Sequence, residues 1–95
     1  MREKVLSILT DILPSIDFLS SGKLIDDKII DSISLMTIVS ELSVAFDIKI
    51  SMSELIPENF NSVDLITSLV ERKIQWLLFL KKFTSIQSPN QTTRH

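Results

Sequence analysis

The sequence predicts an all-α fold, on the evidence of its length, its composition and its apolar periodicity. Ninety-five residues are enough for one small domain. One glycine and three prolines are too few for the turns of a β fold. An apolar fraction of 44% and a net charge of −2 are typical of a folded chain, and apolar residues recur every three or four positions in several segments.

A first helix is predicted over residues 3–13, followed by a long structured loop. Pro14 stands where this helix should end. The connection over 14–31 is too apolar for a free linker, so we expect its large side chains to pack back on the core. These are Phe18, Leu24, Ile25, Ile29 and Ile30.

A second helix is predicted from about Ser32 to Phe46, with Asp31 as its N-cap. Its apolar residues form one stripe that should face the core. The stripe consists of Leu35, Ile38, Val39, Leu42, Ala45 and Phe46. The alternation over 48–50 is too short to predict a strand.

The segment 51–60 predicts a short helical turn and then a loop. A last helix should begin at Asn61 or Ser62, either of which can cap it, with Asp64 in its first turn. Its buried face should consist of Val63, Ile66, Leu69 and Val70. The helical pattern continues as an extension over 74–83. We therefore expect a domain over 1–83 with its core in 3–73, and a disordered tail over 84–95.

Composition excludes several classes of function. Without cysteine there is no disulfide, no thiolate metal site and no cysteine nucleophile. The single histidine, His95, lies at the end of the chain, and the scattered acids suggest no metal or catalytic cluster, so we expect neither an enzyme nor a metal site. No basic stripe indicates nucleic-acid binding. No apolar run reaches the length of a membrane span, and we expect a cytoplasmic protein.

The triplet Asp31-Ser32-Ile33 at the head of the second helix has two interpretations. Asp and Ser are preferred N-cap residues, so the pair is explained by capping alone. A serine hydroxyl at a helix start is also exposed, and the helix dipole there favours an added phosphate. The triplet alone leaves both interpretations open.

The wider context resembles the acyl/peptidyl carrier protein family. The resemblance runs from Val5 to Val70: an N-terminal helix, a long loop, Asp31-Ser32-Ile33, and a helix ending Phe46-Asp47-Ile48. Asn61-Ser62-Val63 then opens the final helix. The triplet together with the Phe-Asp-Ile ending at this spacing is a much more specific signal than the triplet alone.

The resemblance implies a four-helix bundle with a long loop between helices 1 and 2. It further implies that Ser32 carries 4′-phosphopantetheine, attached from coenzyme A by a phosphopantetheinyl transferase. The arm's thiol would hold an acyl or aminoacyl thioester for a loading ligase and downstream transferases or synthases. Asp31 either contacts the transferase or its metal, or only caps the helix. Ile33 and Met36, with Thr37 and Ser40, are expected to contact partner enzymes, the alternative for the first two being packing against the loop.

Two departures bear on the cargo. Fatty-acid carriers of the family usually have a glycine shortly before the serine motif and a row of acids along the second helix. Here Ile29-Ile30 come before Asp31, and the outer face of the helix is nearly neutral. The segment 56–60 is more similar to stand-alone peptidyl or D-alanyl carriers, which slightly favours an aminoacyl or specialised acyl cargo.

The apolar extension over 74–83 is unusual for the family, whose last helix normally ends near Lys73. One hypothesis is a docking segment for a partner or for self-association of an otherwise monomeric protein; the other is a longer helix that folds back on the bundle. The main alternative for the whole chain is a helical interaction module without cofactor, which binds through 74–83. A membrane-surface helix is a third possibility, but only Arg72, Lys73, Lys81 and Lys82 supply cations nearby.

Overall fold

The computed structural model describes the backbone of residues 1–91 and the side chains of residues 1–82. Four α-helices follow one another: α1 (Arg2–Ile12), α2 (Ser32–Phe46), α3 (Pro57–Phe60) and α4 (Val63–Gln91). A 3-10 turn over Met52–Glu54 comes before α3, and no strand occurs in residues 1–91. The predicted all-α, carrier-like bundle is therefore confirmed.

The core is shared by three helices, a short helix and the loop. Helix α1 packs against both α2 and α4, and α3 packs against α4. Fourteen apolar side chains are buried: Val5, Leu9, Phe18, Leu24, Ile30, Ile38, Val39, Leu42, Ile48, Phe60, Val63, Ile66, Leu69 and Val70. Since three of these belong to the α1–α2 loop, that loop is part of the folded body.

The predicted elements hold with local corrections. The prediction for the loop is right for Phe18, Leu24 and Ile30, but Ile29 is exposed. Ala45 is exposed rather than on the buried stripe of α2, because helical spacing places it at the edge of that stripe. The predicted loop after the 3-10 turn is instead α3, which Pro57 opens at its first position, where its missing N–H costs nothing.

Ser62 caps α4, since its hydroxyl accepts a hydrogen bond from the Leu65 N–H at 3.1 Å. Asp64 lies in the first turn as predicted and pairs with Arg2 of α1. Helix α4 then runs without a break to Gln91, past the predicted end of the extension at residue 83. Residues 92–95 of the predicted tail lie outside the described residues.

Candidate functional site

Ser32 is the first residue of α2, and Asp31 caps the helix in front of it. The Asp31 carboxylate accepts a hydrogen bond from the Ser34 N–H at 2.8 Å. This hydrogen bond, with one from the Ser34 hydroxyl, holds the pKa of Asp31 below its usual value. The side chain of Ser32 takes no part in the hydrogen bond of the cap, and Ser32 is exposed. Its hydroxyl is therefore open to an enzyme that would modify it.

The α1–α2 loop fixes the backbone immediately before Ser32. Ile30, two residues before Ser32, is buried, and its N–H donates to the Leu24 carbonyl at 3.1 Å. The N–H of Leu24 in turn donates to the backbone carbonyl of Asn61 at 2.9 Å. A chain of backbone hydrogen bonds thus connects the α3–α4 junction to the entrance of α2.

Asn61 also binds the loop through its side chain. Its Oδ1 accepts hydrogen bonds from the N–H groups of Ile25 at 2.9 Å and Asp26 at 3.1 Å. Its Nδ2 donates to the Asp26 carboxylate at 3.0 Å. We refer to these contacts as the Asn61 clamp. The sequence suggested only a helix cap at this residue, because contacts across 35 and 36 positions leave no local pattern.

The four predicted partner-contacting residues lie together on the outer face of α2. Ser32, Ile33, Met36, Thr37, Ser40 and Glu41 line an open depression of about 620 Å³. Ile33 is 80% exposed and Met36 is 48% exposed, so neither packs against the loop, which was the alternative. The depression offers a partner apolar surface directly beside the serine, with Glu41 as its one charged residue.

This arrangement suits a phosphate-linked arm. An exposed hydroxyl at the amino end of a 15-residue helix places an added phosphodiester at the positive end of the helix dipole. The arm would leave the protein over an open surface, with no wall to obstruct it. No group of acids, histidines or cysteines in the described residues could hold a metal ion.

The comparison with known families agrees. Residues 29–72 match the family model described as the phosphopantetheine attachment site. Over these residues the chain is similar to a phosphopantetheine-binding carrier domain. Domains of this family hold a covalent 4′-phosphopantetheine and carry cargo without catalysing a reaction. No curated protein and no solved structure matches the chain.

The carrier domain ends near the point where α4 leaves the bundle. The extension does not fold back, since Trp76, Leu78 and Phe79 are all more than half exposed. Only Ile74 of its first turn packs against the core. Lys73, just before it, donates two hydrogen bonds to the Glu54 carboxylate, at 2.9 and 3.1 Å. Within the described part of the chain, no helix is long and apolar enough to cross a bilayer.

Proposed function

We propose that Ser32 is the attachment residue and that the protein carries an aminoacyl or specialised acyl thioester on its arm. The observation that supports Ser32 most directly is its exposed position at the capped start of α2, inside the matched residues 29–72. In the transfer, the Ser32 hydroxyl loses its proton and bonds to the phosphorus of the arm. The bond from that phosphorus to the adenosine bisphosphate half of coenzyme A breaks, and that half leaves.

The outer face of α2 supports the same proposal. A partner enzyme has to approach Ser32 closely to reach the arm, and Ile33 and Met36 provide apolar contact area beside it. Asp31 contributes the helix cap and is placed to contact the transferase as well. The partners of this surface would be the phosphopantetheinyl transferase, a loading ligase and the enzymes that consume the thioester.

The choice of cargo rests on charge. The depression around Ser32 contains one acid, Glu41, so electrostatic attraction toward strongly basic partner enzymes is weak. Carriers that serve bulk fatty-acid synthesis depend on such attraction in the family that the sequence resembles. A nearly neutral face therefore favours a ligase that recognises apolar contacts, as expected for aminoacyl or specialised acyl loading.

The attachment experiment measures the mass of the intact protein after incubation with coenzyme A and a phosphopantetheinyl transferase of broad specificity. We expect a gain of one phosphopantetheine unit in the native chain and none in Ser32→Ala. Ser34→Ala is the matched control, because it removes a hydroxyl from the same turn and keeps the N–H that Asp31 binds. The proposal would be contradicted if Ser32→Ala gained the mass of the arm, or if the native chain gained none while a known carrier was modified in the same assay.

The cargo experiment presents the carrier, with its arm attached and the thiol free, to malonyl-coenzyme A and a malonyl transferase of fatty-acid synthesis; the malonyl group passes to the thiol and coenzyme A is released. We expect slow transfer to the native chain and faster transfer to the double variant Thr37→Glu/Ser40→Glu, which adds two acids to the outer face. If malonyl transfer to the native chain were as fast as to a fatty-acid carrier, the proposed cargo would be wrong, but the proposal that Ser32 is the attachment residue would still stand. The alternative of an interaction module without cofactor predicts no attachment in the first experiment.

A further inference from the structure

The extension of α4 carries an apolar stripe that the carrier function does not use. Trp76, Phe79 and Leu80 stand at positions i, i+3 and i+4 of the helix. This spacing places the three positions on one helix face. Trp76 is 56% exposed and Phe79 is 58% exposed, and their rings stack with centroids 5.7 Å apart. Exposed aromatic surface of this kind marks a contact site.

Charge is strongly segregated along the chain. Residues 1–71 contain all twelve acids and five of the ten basic residues, a net charge of −7. Residues 72–95 contain the other five basic residues and no acid, a net charge of +5. Because Arg72 and Lys73 still belong to the carrier core, the domain over 1–73 has a net charge of −5 and the part beyond it, 74–95, a net charge of +3. A chain with this asymmetry is attracted to an anionic surface by one end only.

The lysines nearest the stripe are free to meet such a surface. Lys81 and Lys82 are exposed and form no ion pair within residues 1–82. At about 100° per residue, Lys82 lies about 110° and Lys81 about 150° from the middle of the stripe, on the other side of the helix. Long lysine side chains in this position reach around a helix toward phosphate groups while the apolar face sinks between lipid chains.

We propose that the extension binds an anionic lipid surface through the stripe of Trp76, Phe79 and Leu80, assisted by Lys81 and Lys82. Pairing two extensions side by side would bring like charges together, so this form of self-association fits the charges less well. Docking of an extension on the bundle of a second copy is the outcome that the concentration dependence measured below detects. The extension leaves the bundle beside Asp47 and Ile48, at the carboxyl end of α2. Ser32 opens the amino end, about 21 Å away along that helix. The protein can therefore lie on a membrane with its attachment site accessible.

The test uses the full-length protein and its one tryptophan, which lies in the stripe. Vesicles of phosphatidylcholine alone are compared with vesicles that contain about one third phosphatidylglycerol. We expect the Trp76 emission to shift to shorter wavelength and the protein to sediment with the anionic vesicles only. Lys81→Glu/Lys82→Glu removes two positive charges and adds two negative ones, so it should weaken partitioning by about 30-fold or more, and raised salt should weaken it as well. Lys23→Glu/Lys28→Glu is the control, because it changes the net charge equally at two exposed loop positions.

A second matched pair tests the stripe itself. Leu80→Ser removes a leucine from the stripe, whereas Leu78→Ser removes a leucine that is more exposed but lies off it. We expect about fivefold weaker partitioning from the first variant and little change from the second. Circular dichroism of each variant verifies that α4 remains helical.

Three results would overturn the proposal. One is the absence of sedimentation with anionic vesicles at low salt. Another is a Trp76 emission shift that depends on protein concentration without lipid, together with a dimer mass by light scattering, which would identify a second copy as the occupant. The third is binding to duplex DNA as tight as to vesicles and insensitive to Leu80→Ser, which would indicate general attraction to polyanions. Attachment of the arm at Ser32 is expected whatever the outcome.

Discussion

The Asn61 clamp allows a quantitative prediction about the loop in front of Ser32. Replacing Asn61 with alanine removes three hydrogen bonds, to the N–H groups of Ile25 and Asp26 and to the Asp26 carboxylate, and keeps the backbone bond to Leu24. No apolar contact of the core is deleted. The substitution therefore isolates how far side-chain polar contacts hold the loop.

The expected cost follows from the three geometries. A net hydrogen bond contributes about 0.5–1.5 kcal/mol, with exposed bonds at the lower end. The bond to Ile25 is partly buried and the two to Asp26 are exposed, which gives a loss of about 2 kcal/mol in the free energy of unfolding. For a domain of this size, that loss lowers Tm by about 8–16 °C.

Thermal unfolding followed by circular dichroism measures the loss, and hydrogen exchange locates it. The amides of Leu24, Ile25, Ile29 and Ile30 should exchange faster in Asn61→Ala than in the native chain, because the loop opens locally. Amides in the middle of α1 and α4 should change only with global stability. A Tm change below about 3 °C with unchanged exchange in the loop would refute the reasoning.

Two further variants separate the three bonds. Asp26→Ala removes only the exposed bond to the Asn61 amide and should cost about 0.5 kcal/mol. Asn61→Asp keeps both bonds to backbone N–H groups but places a second carboxylate beside Asp26, so it should be destabilising at neutral pH. Adding Asp26→Asn should restore the stability, since the amide at position 26 can then donate to the carboxylate at position 61.

Three other predictions concern stability. The pKa of Asp31 is lowered, so its helix cap stabilises the fold above the usual pKa of 3.8, and this stability is lost as pH falls through the lowered pKa of the folded protein. The free energy of unfolding should therefore depend less on pH in Asp31→Asn than in the native chain between about pH 5 and pH 2. Burial alone would raise the pKa of Glu54, but hydrogen bonds from the Ser51 N–H and from Lys73 outweigh it and lower the pKa. Lys73→Met should therefore raise the pKa of Glu54 in an NMR titration and lower the free energy of unfolding, measured with urea, by about 1 kcal/mol. Leu42→Ala should cost about 3 kcal/mol and Val44→Ala almost nothing, also in urea, since the first side chain is fully buried and the second is 81% exposed.

Short-range sequence patterns predicted the bounds of α2 and the buried face of α4. Helix α2 begins at Ser32 and ends at Phe46 as its apolar spacing and Asp31 indicated, and Val63, Ile66, Leu69 and Val70 are all buried. The positions of Ile33 and Met36 beside Ser32 followed from the same spacing.

Contacts between distant segments were beyond the reach of those patterns. Nothing in the neighbours of Asn61 distinguishes a helix cap from a clamp, because the partners lie in the α1–α2 loop. Ile29 and Ile30 are chemically identical, and only the fold of the loop decides which is buried. The course of the apolar extension also depends on whether the bundle offers a groove to receive it, which a one-dimensional pattern does not contain.

Helix α2 has a buried face that belongs to the core and an exposed face that, in the function we propose, contacts partner enzymes; both limit how its sequence can vary. Ile38, Val39 and Leu42 belong to the core, whereas Ile33, Met36 and Ser40 belong to the open depression. Substitutions at the buried positions should reduce protein abundance, and substitutions at the outer positions should reduce thioester transfer. Along the helix both effects should recur every 3.6 residues, with their maxima half a turn apart. In the function we propose, substitutions at the outer positions would change which partner enzymes bind, while the inner positions stay as they are.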